Sequence, residues 1–153
     1  MPSLERGEPK VRIRPMEHED IDSVLAIDRK ITGKRRAVTY TELITGDLGG
    51  VLALSIVAEV DGVVQGFLLA RRVYTVAPPG EVGLIQILGV DPDYQRHGIA
   101  SQLVNALLGH CHAEGINAIR AVVDERNADL KRFFQRLGFR RSELVNYAKT
   151  FEG

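Results

Sequence analysis

The chain has 153 residues, of which 44% are hydrophobic and 26% charged, with 20 Lys plus Arg against 20 Asp plus Glu. That is enough chain for one domain with a proper core, and the neutral balance argues against nucleic acid or an anionic membrane surface as a partner. No run approaches transmembrane length, the start Met1-Pro2-Ser3-Leu4 lacks a signal peptide's apolar core, and the single Cys111 cannot close an internal disulfide, so a reducing cytoplasm is the expected home.

Residues 1–9 are polar with two prolines and predict a loose tail ahead of a single domain over 10–153. Val11-Arg12-Ile13-Arg14 alternates as a half-buried strand. Ile21, Val24, Leu25 and Ile31 recur at helical spacing up to Gly33, and a short helix is predicted from about Thr39 to Thr45, ended by Gly46-Asp47-Leu48-Gly49-Gly50. Val51 to Val60 and Val63 to Val73 are rich in β-branched and apolar residues and are joined by Asp61-Gly62, a strong hairpin signal. Pro78-Pro79-Gly80 turns the chain into an apolar run, Val82 to Val90, that reads as a buried strand. Ala100, Leu103, Val104, Leu107, Leu108 and Cys111 make the next helical stripe, ended by Gly115. Ala118 to Val123 reads as a strand. Asn127 suits a helix N-cap, Leu130, Phe133, Phe134 and Leu137 form the last stripe, and Gly138 suits its end. A final strand is predicted within Leu144 to Phe151. The order β-α-α-β-β-β-α-β-α-β mixes a hairpin with crossovers, which implies an α/β fold with a mixed sheet and helices on both faces.

The densest stretch for function is Val90-Asp91-Pro92-Asp93-Tyr94-Gln95-Arg96-His97-Gly98-Ile99-Ala100. It lies between the buried strand and a helix, with little side-chain bulk at Gly98 and Ala100. Bare N–H groups at a helix N-terminus favour a phosphate, because both the orphan donors and the helix dipole attract an anion.

Gln95-x-x-Gly98-x-Ala100 preceded by Val90-x-Pro92 resembles the acetyl-coenzyme A loop of the GNAT superfamily of N-acetyltransferases. Asn127-x-x-Leu130-x-x-Phe133-Phe134-x-x-Leu137-Gly138-Phe139, one helix and one strand later, resembles that family's second block. The resemblance runs over residues 10–151, strongly from 82 to 139. It implies the GNAT acyl-CoA N-acyltransferase fold, with a mixed, mostly antiparallel sheet, and acetyl-CoA as cosubstrate. Carried over by position, Leu88, Gly89 and Val90 would pair with the pantetheine arm. Gln95, Arg96, His97, Gly98, Ile99, Ala100 and Ser101 would hold the pyrophosphate, and Asn127 and Phe134 would also face the coenzyme. The family's strand carries a bulge that opens a gap in the sheet, and Gly89 is the expected place for it, with a plain packing glycine as the alternative.

The implied reaction is direct acetyl transfer to a primary amine of a small molecule, peptide or protein in a ternary complex. It needs a polarised carbonyl, a near-attack amine and a route for the ammonium proton. Here the chain departs from its relatives. Phe134 stands where a donor tyrosine is common, and Leu84, Val122 and Val123 stand where a base is common. Three candidates remain. Gln86, with the parity of Leu84 and Leu88, would orient a relay water; Asp124, with the parity of Val122, would be a base if partly buried; Tyr147 would donate from the last strand. Each also has a plain structural reading: a strand hydrogen bond, a solvated loop and a core-edge aromatic. The missing acid and base support an alternative function, a catalytically weak or silent acyl-CoA-binding sensor or interaction module. Lys30, Lys34, Arg35 and Arg36 read as a solvated face, or as a basic patch greeting an acidic acceptor. His110-x-His112 points to two helix faces and no metal site is expected. The short C-terminus predicts an open acceptor side or an uncovered sheet edge that favours a homodimer.

Overall fold

A computed structural model describes residues 10–33, 53–76 and 79–151. The predicted tail over 1–9, the helix from Thr39 to Thr45 and the cluster Lys34-Arg35-Arg36 lie outside the described residues. The chain divides into two compact units, Met1–Val122 and Val123–Gly153.

Among its described residues the first unit holds five strands: β1 (Val11–Pro15), β2 (Ile56–Val60), β3 (Val63–Val76), β4 (Pro79–Val90) and β5 (Ala118–Ala121). They form one sheet in the order β1-β2-β3-β4-β5. The first three pairings are antiparallel and the last, β4 with β5, is parallel. Helix α1 (Ile21–Thr32) follows β1, and helix α2 (Ile99–Ala113) makes the crossover between the parallel strands, as a parallel pairing requires. Asp61 and Gly62 join β2 to β3 with φ of 51° and 86°, the two positive φ values that a type I′ hairpin turn needs.

The two faces of the sheet carry different cores. Val57, Phe67 and Leu69 pack with Met16 and with Val24 and Ile27 of α1. On the opposite face a methyl built on Gly66 would lie 3.1 Å from Ile99 and 3.4 Å from Leu103 of α2, and one built on Gly83 would lie 3.1 Å from the Cys111 sulfur. Helices therefore cover both faces. Phe67, Leu68, Leu103 and Leu107 are buried to within 1% of full enclosure, each contributing about 1.5–3 kcal/mol through removal from water. An ion-paired corner ties β1 to β2 and to the start of α1. Arg14 grips Asp20 through two bonds of 2.7 and 2.8 Å and donates its Nε to Glu59 at 2.6 Å.

The strand distortion expected at Gly89 falls elsewhere. In the β3–β4 ladder Leu69 faces Ile87 and Ala70 faces Ile85, which leaves Gln86 as the extra residue. Gly89 instead packs tightly: a methyl there would sit 2.7 Å from the Phe67 ring. The bulge also overturns the shared parity of Leu84, Gln86 and Leu88. Gly83 faces α2 and Gly89 faces α1, although six residues apart in one strand should share a face. One inserted residue flips every side chain beyond it.

The second unit holds helix α3 (Ala128–Arg136), capped by the Asn127 side chain, which accepts from the Leu130 N–H at 3.1 Å. Phe134 is buried and meets Phe133 and Phe139 edge-on, with ring centroids 5.1 and 5.0 Å apart. The predicted last strand does not form. Residues 140–151 are exposed and carry no helix or strand. Leu144 and Val145 are adjacent rather than alternating, and a strand exists only where a partner completes its ladder.

Candidate functional site

The site grows from the end of β4. On its β5 side this strand is paired only from Val82 to Ile85. From Gln86 to Val90 that edge has no strand partner among the described residues, while the other edge stays laddered to β3 from Leu88 to Val90. A free edge exposes unpaired N–H and C=O groups that can receive another extended chain. Leu88, Gly89 and Val90, predicted to hold a pantetheine-like arm, all lie on it. Gln86 stands at its start, half-buried, at the point where pairing changes.

Beyond Val90 the chain makes a tight turn, Pro92–Tyr94, and enters the loop. The Gln95 amide donates back to the Val90 carbonyl at 3.2 Å, folding the loop onto the strand end. Arg96 and Gly98 both have positive φ, 70° and 78°, whereas His97 between them does not. For arginine this conformation costs about 1 kcal/mol or more, while glycine adopts it freely. Turn geometry of this kind gathers successive N–H groups into an anion-holding concavity. Gly98 is also the N-cap of α2 and offers no side-chain cap. The first i→i−4 bond runs from the Gln102 N–H to the Gly98 carbonyl at 3.0 Å, so the N–H groups of Ile99, Ala100 and Ser101 precede it. Space above Gly98 is open, with nothing within 4 Å of a built methyl. Ile99 is 1% exposed and touches the Gly66 backbone position; this apolar anchor fixes the helix N-terminus on the sheet. Gln95, Arg96 and His97 are exposed at the rim.

Two residues that sequence reasoning left out of the loop are Asp91 and Lys30. Asp91 is 4% exposed and spends every polar group. Its N–H donates to the Gln65 carbonyl, its carbonyl accepts from the Tyr94 N–H, and its carboxylate accepts from the Asp93 N–H and from the Lys30 Nζ. Burial pushes the Asp91 carboxyl up, but the Lys30 ammonium and the Asp93 N–H hold it below the ordinary carboxylate value. The same bond holds the Lys30 ammonium above its ordinary value. Lys30, read from sequence as part of a solvated face or of a basic patch, is ion-paired to this buried carboxylate. The Asp91-Pro92 turn was a usable signal; nothing local announced Lys30, 61 residues away.

The remaining candidates lie in the second unit. Strand β5 ends at Ala121, and Val122 is 73% exposed, so strand parity does not extend to Asp124. The partial burial that a basic Asp124 required is missing: its side chain is 54% exposed. Its hydrogen bonds to the Arg126 side chain and N–H hold its carboxyl below the ordinary value. Tyr147 is 95% exposed and sits on no strand. Cys111 is buried on α2 and burial pushes its thiol up, which makes it a poor nucleophile. His110 and His112 are exposed, and among the described residues no group of three His, Cys, Asp or Glu could hold a metal. No helix among them is long and apolar enough to cross a membrane.

A mixed sheet with a bulged central strand, a free strand edge and a left-handed loop at a helix start together define an α/β domain. A family model described as Acetyltransferase (GNAT) family matches residues 22–139. The chain therefore belongs to the GNAT acetyltransferase family. It is 30% identical over 89 residues to the mycothiol acetyltransferase of Thermobispora bispora, a match covering 50% of this chain and 30% of that protein. It is 36% identical over 69 residues to the mycothiol acetyltransferase of Streptosporangium roseum, covering 44% and 20%. The match thus spans less than a third of either curated relative. Among solved structures, the aminoglycoside N-acetyltransferase AAC(6')-Iy in complex with CoA superposes with a TM-score of 0.81 at 21% identity, covering 95% of this chain and 97% of that one. At that identity the likeness establishes the fold.

Proposed function

We propose that the protein is an acetyl-CoA-dependent N-acetyltransferase that moves an acetyl group directly to a primary amine within a ternary complex. The observation that carries this reading is the continuity of the free β4 edge, Gln86 to Val90, with the left-handed Gly98 cradle at the start of α2. The edge suits a pantetheine arm and the cradle a pyrophosphate. Leu88, Gly89, Val90 and residues 95–101 are assigned to the coenzyme on this ground, and Asn127 and Phe134 by their places in the family block, within one domain over 10–153. In the reaction the ammonium first gives one proton to the medium, the free amine nitrogen bonds the acetyl carbon, the thioester C–S bond breaks, and the second proton leaving the nitrogen ends on the departing thiolate. Gln86 is the best placed of the three proton-handling candidates, since it stands beside the proposed thioester end of the edge; Asp124 and Tyr147 rank below it. The acceptor is a small-molecule or peptide amine. Relatives named for mycothiol and for aminoglycosides make such amines the first to try. The reading also places the protein in the cytoplasm, with a homodimer as its assembly.

Phe134 favours a second reading, an acyl-CoA-binding module without turnover, because it offers no hydroxyl to the leaving thiolate. Incubation with acetyl-CoA and a panel of amines and peptides, followed by free thiol release, separates the two: turnover on any acceptor supports the enzyme, and binding without turnover supports the module. Gly98→Asp puts bulk and negative charge at the cradle and should weaken acetyl-CoA binding at least tenfold, roughly what setting a like charge against the ligand's own costs; unchanged affinity in a titration overturns the loop assignment.

A further inference from the structure

We infer that Lys30 is a positioning residue for the coenzyme loop, acting through Asp91 across the gap between α1 and β4; this rests on the acetyl-CoA reading above. Three observations carry it. First, Asp91 is the residue through which the strand edge becomes the loop. Its backbone bonds to Gln65 and Tyr94 and its carboxylate bond to the Asp93 N–H fix the turn from which Gln95 folds back. Second, one of its two carboxylate oxygens is held only from outside this segment, by Lys30 at 2.8 Å from the last turn of α1. Third, the neighbouring Ile31 comes within 3.1 Å of a methyl built on Gly89. Residues 30 and 31 therefore brace positions 89 and 91, the apolar contact behind the edge and the ionic contact at its end.

The chemistry favours a positioning role over a purely stabilising one. The Asp91 side chain is 6% exposed and the Lys30 side chain 55%. An exposed ammonium gives little net stability, but a buried carboxylate that loses its cation must find another donor. The backbone donors that follow it in sequence are the loop's own N–H groups. Without Lys30 the Asp91 carboxylate would draw on the groups that are proposed to receive the pyrophosphate, and its negative charge would stand unneutralised beside that anion. Lys30 touches neither substrate in this account; it neutralises and aims the residue that aims the loop.

The test compares wild type, Lys30→Met and Lys30→Arg in the full chain. Acetyl-CoA affinity is measured by calorimetry, thermal unfolding by circular dichroism, and steady-state kinetics with whichever amine the panel yields. Lys30→Met should lower acetyl-CoA affinity about tenfold, the loss expected when a charged hydrogen bond disappears, with KM for acetyl-CoA rising in step. The acceptor KM and kcat should stay within about twofold, and Lys30→Arg should restore most of the affinity. Lys30→Met binding as tightly as wild type overturns the inference. So does a loss of affinity that only mirrors a collapse of the melting transition, which marks a structural residue. Wild type failing to bind acetyl-CoA overturns the functional reading itself and is told apart because it needs no variant.

Discussion

Gly89 shows how one missing side chain shapes this molecule. Its backbone lies against the fully buried Phe67 ring, and a methyl at this position would approach two ring carbons at 2.7 and 2.8 Å. Phe67 cannot retreat, since it is packed against α1. Gly89→Ala should therefore destabilise the fold by about 1–3 kcal/mol, read as a lower denaturant midpoint at unchanged slope. The Arg14 corner makes a second prediction at this scale. Hydrogen bonds from Arg14 hold the Asp20 carboxyl below its ordinary value. A depressed carboxyl contributes stability above its unfolded pKa, about 3.9, and loses that contribution as pH falls through the folded value. Denaturation midpoints taken from pH 6 down to pH 2 should fall more steeply for wild type than for Asp20→Asn. Parallel curves would refute the linkage. At this scale the helix start at Gly98 was legible, because a small residue before a helical stripe is a local signal. The sequence did not announce Lys30 or Phe67, whose partners lie across the fold.

Elements were more legible than their irregularities. The Asp61-Gly62 turn, the buried strand before the loop and the stripe of α2 each follow from local chemistry, so strand and helix fall where composition places them. The bulge does not. An extra residue in β4 is defined by what β3 presents opposite it, and nothing in Leu84-Ile85-Gln86-Ile87-Leu88 marks the middle residue as unpaired. The same limit explains the C-terminal segment. Leu144, Val145, Tyr147 and Phe151 have the composition of a strand, yet they are 48–95% exposed, because propensity supplies no partner. Strand β5 likewise stops at Ala121, two residues before its apolar run ends. Placing Asp124 by extending the parity of β5 inherited the early end of that strand.

For the whole molecule, the family match from 22 to 139 takes in parts of both compact units. The fold class was readable because hairpin, crossover and two sequence blocks agree; the acceptor was not, because no comparable block governs it. A ligand that binds only the folded chain stabilises it by mass action. Under the coenzyme reading, acetyl-CoA at 100 times its Kd should add about 2.7 kcal/mol, raising the melting temperature by about 8 °C for a domain of this size. Gly98→Asp should lose that increment while keeping its own unliganded transition. A melting curve of wild type indifferent to acetyl-CoA would contradict the reading.

The extra residue at Gln86 also works as a phase shifter. Before it, odd-numbered positions of β4 look toward α2; after it, odd-numbered positions look toward α1. Two surfaces of one strand are thereby exchanged halfway along, so the half paired to β5 and the half bearing the free edge present opposite registers to the same helix. The strand's tolerance of polar residues should thus alternate like a wave that slips by half a period at one point. Comparing positions across that slip by simple counting pairs the inside of one half with the outside of the other.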